Sequence, residues 1–264
     1  DLPVYGKKDI LEYALKKISE EWVITVDADC RLKSTWLESI AGQIDNNVRM
    51  IASPVLMLHE SNIWSKWIYI EHAIVTVAGY IFAGLGLPLY VSGANLLFCK
   101  QDMLRYFEEK KHLLPYGDDV FFLQDLFKKH GPRSICFSTV PESIVLTISP
   151  HNLKEWFLQR VRWLTKTTAY ELKYPLWMGM LIFFVEFIPW IYFFFDFSFS
   201  LSLLIVKSLL QTLLLVFFLK KWKHPFYFGL AWISFIFYFW LLLLYAIIIL
   251  FFDVKDWKGR SFQK

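Results

Sequence analysis

Trp22-Val-Ile-Thr-Val-Asp-Ala-Asp-Cys30 is the stretch that sets the fold class. Its first half is a short apolar, β-branched run, which predicts a strand buried on both faces of a parallel sheet. The run stops on two carboxylates, Asp27 and Asp29, with only Ala28 between them. In open α/β sheets the ligand crevice lies beyond the carboxyl ends of the strands, where this pair is expected. Oxygen ligands at i and i+2 suit Mg²⁺ or Mn²⁺, commonly shared with substrate phosphates. Taken alone, the same residues also fit a solvated strand-end turn.

Up to about Pro175 the chain mixes charged, polar and apolar residues as a globular domain does. From Leu176 to Asp253 it is almost continuously apolar. The asymmetry predicts a water-facing domain followed by membrane-embedded helices. The expected segments are an α/β domain over 1–150, an amphipathic interfacial helix over 151–174, about three transmembrane helices over 175–253 and a basic tail over 254–264. The formal net charge of +4 is not gathered into a stripe that would bind nucleic acid. Much of it flanks the apolar segments, where it reports membrane orientation. Three cysteines, Cys30, Cys99 and Cys136, are widely spaced and odd in number. They suggest neither a disulfide framework nor a zinc site, and fit a reducing, cytoplasmic face. No signal peptide opens the sequence, which begins inside what reads as an ongoing domain.

Asp1 to Gly6 reads as a loop, and Lys8 to Ser19 as a helix with Ile10, Leu11, Ala14, Leu15 and Ile18 on one face. Thr35 with Glu38 is a capping-box pattern opening a second helix, whose buried stripe is Trp36, Leu37, Ile40, Ala41 and Ile44. Met50 to Leu58 reads as a strand in which Pro54 argues for an edge position or a bulge. Ser61 to Tyr80 reads as a helix along a membrane surface, too polar to span because of Lys66, Glu71 and His72. Leu89 to Phe98 is strand-like on both sides of a break at Ser92-Gly93-Ala94. Small residues there let backbone approach a ligand closely, and Asn95 offers an amide to sugar hydroxyls. An ordinary bulge accounts for the same pattern.

Leu114-Pro-Tyr-Gly-Asp-Asp-Val-Phe-Phe-Leu-Gln-Asp-Leu-Phe127 predicts a helix from about Asp118 to Gly131, with Lys128 and Lys129 in its last turn. Asp118 and Asp119 fit two roles at its start. They complement the helix dipole as caps, or one faces the crevice and removes a proton from an attacking hydroxyl. Ser143 to Thr147 reads as a strand. Leu153 to Tyr170 then reads as a basic, aromatic helix carrying Gln159-Arg-Val-Arg-Trp163, with Gln159, Arg162 and Trp163 on one face. Arg supplies a planar fork for phosphate oxygens and Trp a flat wall for a sugar ring. A juxtamembrane helix anchored at the headgroups explains the same residues, and the two roles are compatible.

Three apolar segments follow, Leu176 to Phe195, Phe197 to Leu219 and about Phe226 to Phe252. Each reaches or exceeds the roughly 20 residues needed to cross a bilayer. Lys220, Lys221 and Lys223 follow the second, so the positive-inside rule puts that loop and the globular domain on the cytoplasmic side. The basic Lys255 to Arg260 tail conflicts with a single third crossing, which leaves a tilted span or one that breaks and re-enters. Glu186 and Lys207 are expensive in lipid and are expected to face protein or a polar path.

Asp27-Ala-Asp29, Gly117-Asp-Asp119 and Gln159-Arg-Val-Arg-Trp163, in this order and followed by apolar spans, resemble the membrane-integrated family 2 glycosyltransferases. These are the relatives of cellulose, hyaluronan and chitin synthases and of bacterial lipid or polysaccharide glycosyltransferases. Ser92-Gly-Ala-Asn95 resembles that family's acceptor-side segment, which includes Gly93. The resemblance implies a partial GT-A (Rossmann-like) α/β domain, N-terminally truncated, followed by an all-α transmembrane region in the cell (inner or plasma) membrane. It implies an enzyme that moves a sugar from a nucleotide-sugar donor, usually a UDP-sugar, to a lipid or glycan acceptor with inversion. By the same resemblance Asp29 and Asp27 hold a diphosphate-bound Mg²⁺ or Mn²⁺ and Asp119 is the general base, with Asp118 a substrate-binding neighbour that is the competing candidate for the base and the expected helix cap. Gln159, Arg162 and Trp163 close over the donor diphosphate and the acceptor, and Lys7 sits where similar proteins place a phosphate-contacting lysine. The other expectation is a catalytically silent membrane subunit descended from such an enzyme, binding a partner or lipid through its Trp/Arg helix.

Overall fold

A computed structural model describes residues 7–109, 117–251, 256–257 and 260–261. The chain divides into two compact units, residues 1–57 with 75–148, and residues 58–74 with 149–264. The expected loop at Asp1 to Gly6 and the Leu114 to Tyr116 part of the acidic motif lie outside the described residues.

In the first unit, helix α1 (Lys7–Lys17) precedes strand β1 (Trp22–Val26), and helix α2 (Trp36–Ala41) follows it. Strands β2 (Met50–Ala52) and β3 (Val55–Met57) come next. Helix α3 (Ile63–Gly84) has residues in both units. Strand β4 (Asn95–Cys99), helices α4 (Lys100–Glu109) and α5 (Asp118–His130), and strands β5 (Ile135–Phe137) and β6 (Val145–Thr147) complete it.

The four-stranded sheet runs β1-β4-β2-β5, and β3 pairs with β6 in a second, two-stranded sheet. β4 is antiparallel to β1 and to β2, and within this sheet only β2 and β5 are parallel. The sheet is therefore mixed, not the parallel one expected. β1 stands at one end of the strand order and is half-buried along its whole length. Register explains the two-sided core. Ile24, Leu97, Ile51 and Cys136 form one row across the strands, and Trp36 and Ile40 of α2 cover it. Val23, Phe98, Met50 and Ile135 form the adjacent row on the other face, where Phe98 meets the ring of Phe122 from α5 edge-on. Each such large side chain contributes roughly 1.5–3 kcal/mol by leaving water.

Two local expectations are corrected. Met50 to Leu58 is not one strand: the chain leaves the first sheet at Ser53-Pro54 and enters the second at Val55. Proline has no N–H for the ladder, so the strand ends there and Pro54 contributes only its carbonyl, which accepts from Val145 N–H at 3.1 Å. Thr35 is the N-cap of α2, but its side chain makes no capping hydrogen bond, so the capping box does not form. A side-chain cap forms at Asn152, where none was expected, and the N3 carboxylate reaches back past the N-cap to the residue before it. Asn152 accepts from Glu155 N–H at 3.0 Å, and the Glu155 carboxylate accepts from His151 N–H at 2.9 Å.

That pair opens helix α6 (Leu153–Thr165) of the second unit, followed by α7 (Tyr174–Tyr192), α8 (Phe197–Lys221), α9 (Phe228–Ile236) and α10 (Tyr238–Phe251). A short hairpin, β7 (Asp256–Trp257) with β8 (Arg260–Ser261), ends the described chain. α7 and α8 are long and apolar enough to cross a membrane. α3 also meets that requirement by length and composition, contrary to expectation, and Glu71 and His72 within it are buried, with Glu71 ion-paired. The third expected span is divided into α9 and α10, bent by 60° at Phe237.

The second unit exposes many large apolar groups and buries several polar ones. Phe194, Phe195, Leu210 and Phe217 are exposed, while Ser200, Ser208, Thr212 and Glu186 are buried. Each buried hydroxyl is bonded: Ser200 Oγ to Pro189 O at 2.8 Å, and Ser208 Oγ accepts from Trp232 Nε1 at 2.8 Å. Glu186 of α7 pairs with Lys207 of α8 and accepts from Gln211 Nε2 at 2.6 Å. The two charges expected to avoid lipid thus neutralise each other. Lys207→Met alone leaves a buried carboxylate without its cation and is expected to cost about 3–5 kcal/mol, whereas Glu186→Leu/Lys207→Met is expected to unfold near the wild-type midpoint. Thermal unfolding in detergent distinguishes the two.

Candidate active site

The sequence motifs of the first unit are gathered at one end of β1 and β4. Antiparallel register sets Val26 opposite Asn95, so Asp27, the next residue of one strand, and Ala94, the preceding residue of the other, leave the sheet side by side. Asp27 to Cys30 is a tight turn closed by Cys30 N–H donating to Asp27 O at 3.0 Å. Asp27, Ala28 and Asp29 are exposed on it.

Among the described residues no group of three or more His, Cys, Asp or Glu side chains is placed to hold a metal ion. Two exposed carboxylates two residues apart still fit a hard cation that arrives chelated to phosphates and keeps part of its water shell, the usual way Mg²⁺ is held. Cys30 is the next residue of the same turn. Burial pushes its thiol pKa up, and the charges of Asp29 and Asp27 push the same way against an opposing hydrogen bond from Thr147.

Asp119 is tied to the same place. Its Oδ2 accepts from Gly93 N–H at 3.0 Å and its Oδ1 accepts from Val120 N–H at 2.9 Å. Both bonds fix the carboxylate's orientation. Gly93 thus contributes a backbone donor, and a Cβ there would sit 3.6 Å from Asp119 Oδ2, an ordinary contact. The glycine that the motif requires is Gly117. It is the N-cap of α5 with φ 89°, a left-handed conformation that disfavours any residue with a Cβ. This places Asp118 and Asp119 both within the first turn, half-buried at the positive end of the helix. The cap is Gly117 rather than Asp118.

Asn95 does not offer its amide to a ligand. It is 1% exposed, its Nδ2 donates to Pro54 O at 2.9 Å and Ser143 O at 2.8 Å, and its Oδ1 accepts from Trp36 Nε1 at 3.1 Å. Both donors and the acceptor are engaged by protein, so Asn95 holds the β4 end in place. Lys7 is the first residue of α1, and its side chain lies outside the described set.

Gln159, Arg162 and Trp163 belong to the second unit, on α6, each half-buried. The motif's other arginine is the one that dominates locally. Arg160 is 2% exposed and pairs bidentately with Glu71 of α3, whose Oε1 accepts from Arg160 Nε at 2.9 Å. The Tyr245 hydroxyl of α10 also donates to Glu71. Arg160 Nη1 donates to Gln159 Oε1 at 2.9 Å, and its guanidinium lies 4.5 Å from the Trp163 ring centre. Neither Arg160 nor Glu71 was singled out as a site residue from sequence. The available signal was the buried stripe of α6, Trp156, Arg160, Val161 and Thr165, which sets an arginine among core positions.

The family described as Glycosyl transferase family group 2 matches residues 22–252, and the chain belongs to it. It carries a glycosyltransferase domain. No curated protein matches the chain.

Gly117→Ala is expected to lose about 1–2 kcal/mol, the cost of forcing a Cβ into the left-handed region. Asn95→Ala strands the Trp36 indole N–H and the Ser143 carbonyl and is expected to lose about 2–4 kcal/mol. Chemical denaturation measures both, and an Asn95→Ala protein of wild-type stability would contradict the structural role.

Proposed function

We propose that this glycosyltransferase moves a sugar from a UDP-sugar to a hydroxyl of a membrane-associated lipid or glycan acceptor, with inversion at the anomeric carbon. The observation that carries the reading is the Asp119–Gly93 hydrogen bond, beside the strand pair whose next residue is Asp27. It gives one carboxylate a fixed aim and leaves the two others, Asp27 and Asp29, exposed on a separate turn. Those are the two tasks such a transfer needs. Asp119 takes the proton of the acceptor hydroxyl as its oxygen attacks the anomeric carbon. The bond from that carbon to the diphosphate oxygen breaks on the opposite face, and the leaving group departs with the electron pair.

Asp29 and Asp27 would hold Mg²⁺ or Mn²⁺. Such an ion, when bound, neutralises charge on the leaving diphosphate. Arg162 offers a planar fork to the same phosphates, Gln159 an amide, and Trp163 a flat wall for the acceptor sugar. For these three the support is their chemistry and their place in the motif order. The many exposed large apolar groups of the second unit, with several polar ones buried, support a membrane acceptor and a multi-pass chain. Lys220, Lys221 and Lys223 after α8 support a cytoplasmic catalytic domain.

Asp119→Asn keeps size and hydrogen bonding but cannot take a proton. It is expected to lower turnover about 10²–10⁴-fold while Mn²⁺-dependent UDP binding stays near wild type. Asp29→Asn is expected to weaken metal and UDP binding together. Calorimetry with UDP and a release assay for UDP separate the two, and wild-type turnover in Asp119→Asn would remove it as the base. For topology, a cysteine introduced at Lys221 is expected to resist membrane-impermeant maleimide applied to intact cells, and efficient labelling would reverse the orientation.

A further inference from the structure

The guanidinium of Arg160 has donors only, five N–H groups and no acceptor. Nε and Nη2 are committed to the Glu71 carboxylate, and Nη1 reaches Gln159 at 2.9 Å. The Gln159 group that meets it must therefore be the carbonyl oxygen, which leaves the amide's NH₂ end pointing the other way. The same guanidinium lies 4.5 Å from the Trp163 ring centre, and the His72 imidazole lies 5.6 Å from that ring. A buried pair of this kind adds little net stability over apolar packing, but it specifies one arrangement.

We propose that Arg160, clamped by Glu71 and Tyr245, is a positioning residue that fixes Gln159 as a hydrogen-bond donor and holds the Trp163 ring in one orientation. This rests on the reading that Gln159 and Trp163 face the donor diphosphate and the acceptor. A donor amide suits anionic phosphate oxygens. An amide free to rotate would present its oxygen to them part of the time and be repelled.

The test is calorimetric titration of the full-length protein in lipid nanodiscs with UDP in the presence of Mn²⁺. Arg160→Lys keeps the charge but replaces the planar fork by a compact ammonium. Glu71→Leu/Arg160→Met removes both charges together, which avoids an uncompensated buried ion and preserves folding, as checked by the thermal midpoint. Both are expected to bind UDP about tenfold more weakly, the loss of one charge-supported hydrogen bond. Gln159→Ala is expected to weaken wild type by a similar factor and to add nothing in either background. A variant that merely loosens the helix would instead let Gln159→Ala contribute its full loss again. Wild-type UDP affinity in either folded variant, or full additivity with Gln159→Ala, overturns the proposal.

Asp29→Asn serves as the control for the site itself. If it weakens binding while the Arg160 variants do not, the positioning role alone fails. If wild type does not bind UDP with Mn²⁺, the donor assignment fails. The clamp is then judged without ligand, by amide hydrogen exchange across 153–165. Faster exchange in Arg160→Lys supports it, and unchanged exchange overturns it.

Discussion

The first unit depends on one buried amide. Asn95 joins three segments far apart in sequence: the Pro54 sheet switch, the Ser143 carbonyl before β6 and the Trp36 indole on α2. A backbone that leaves one sheet and enters another exposes carbonyls that must find donors, and a buried carbonyl without one is costly. An amide supplies two donors and an acceptor from a single side chain, which no apolar residue could do. Because Asn95 is also the first residue of β4, fixing it fixes Gly93 two residues earlier. The aim of the Asp119 carboxylate then follows from a packing constraint within the fold.

In the second unit the same requirement has a different solution. Several polar side chains lie in its core, among apolar ones, while much of its outer surface is apolar. Serine and threonine hydroxyls return to carbonyls four residues back, as Thr212 does to Ser208 at 2.7 Å, or meet a neighbouring helix. Among the described residues its buried carboxylates are each paired with a base on another helix, Glu186 with Lys207 and Glu71 with Arg160. An ion pair in apolar surroundings tolerates no sliding, because a helix that shifts by one residue leaves both charges unpaired. These pairs therefore set helix register more than they add stability.

Element types were legible in the sequence where the period was long and unmixed. α5, α7 and α8 fall within a few residues of their expected limits, and Glu186 and Lys207 were recognisable as groups that must face protein. Strand pairing was not legible. The apolar run of β1 looks like a central parallel strand, but period alone does not reveal a partner's direction, and β1 proves half-buried and antiparallel to β4. Asn95 was misread because an asparagine beside small residues looks the same whether its amide faces a ligand or three protein groups. The break at Phe237 carries neither proline nor glycine, the usual marks of a kink. Glu71 was read as a mark of surface exposure because its partner, Arg160, lies 89 residues away in sequence.

The carboxylates of the first unit differ in a way that composition cannot express. Asp27 and Asp29 sit on an exposed turn of few residues, where small backbone adjustments are cheap and a cation's preferred geometry can be met. Asp119 sits in the first turn of a helix, with an oxygen bonded to the backbone of another segment, where adjustment is expensive. Metal coordination to a mobile substrate favours the first condition, and proton abstraction at a defined distance favours the second. Gly117 makes the difference possible. Only a residue tolerant of φ 89° lets the chain turn sharply enough that helix α5 begins at Asp118 and its second residue reaches Gly93. The Gly-Asp-Asp order is thus a geometric requirement: the glycine turns the chain, and the acid two residues on is the one whose oxygen Gly93 holds.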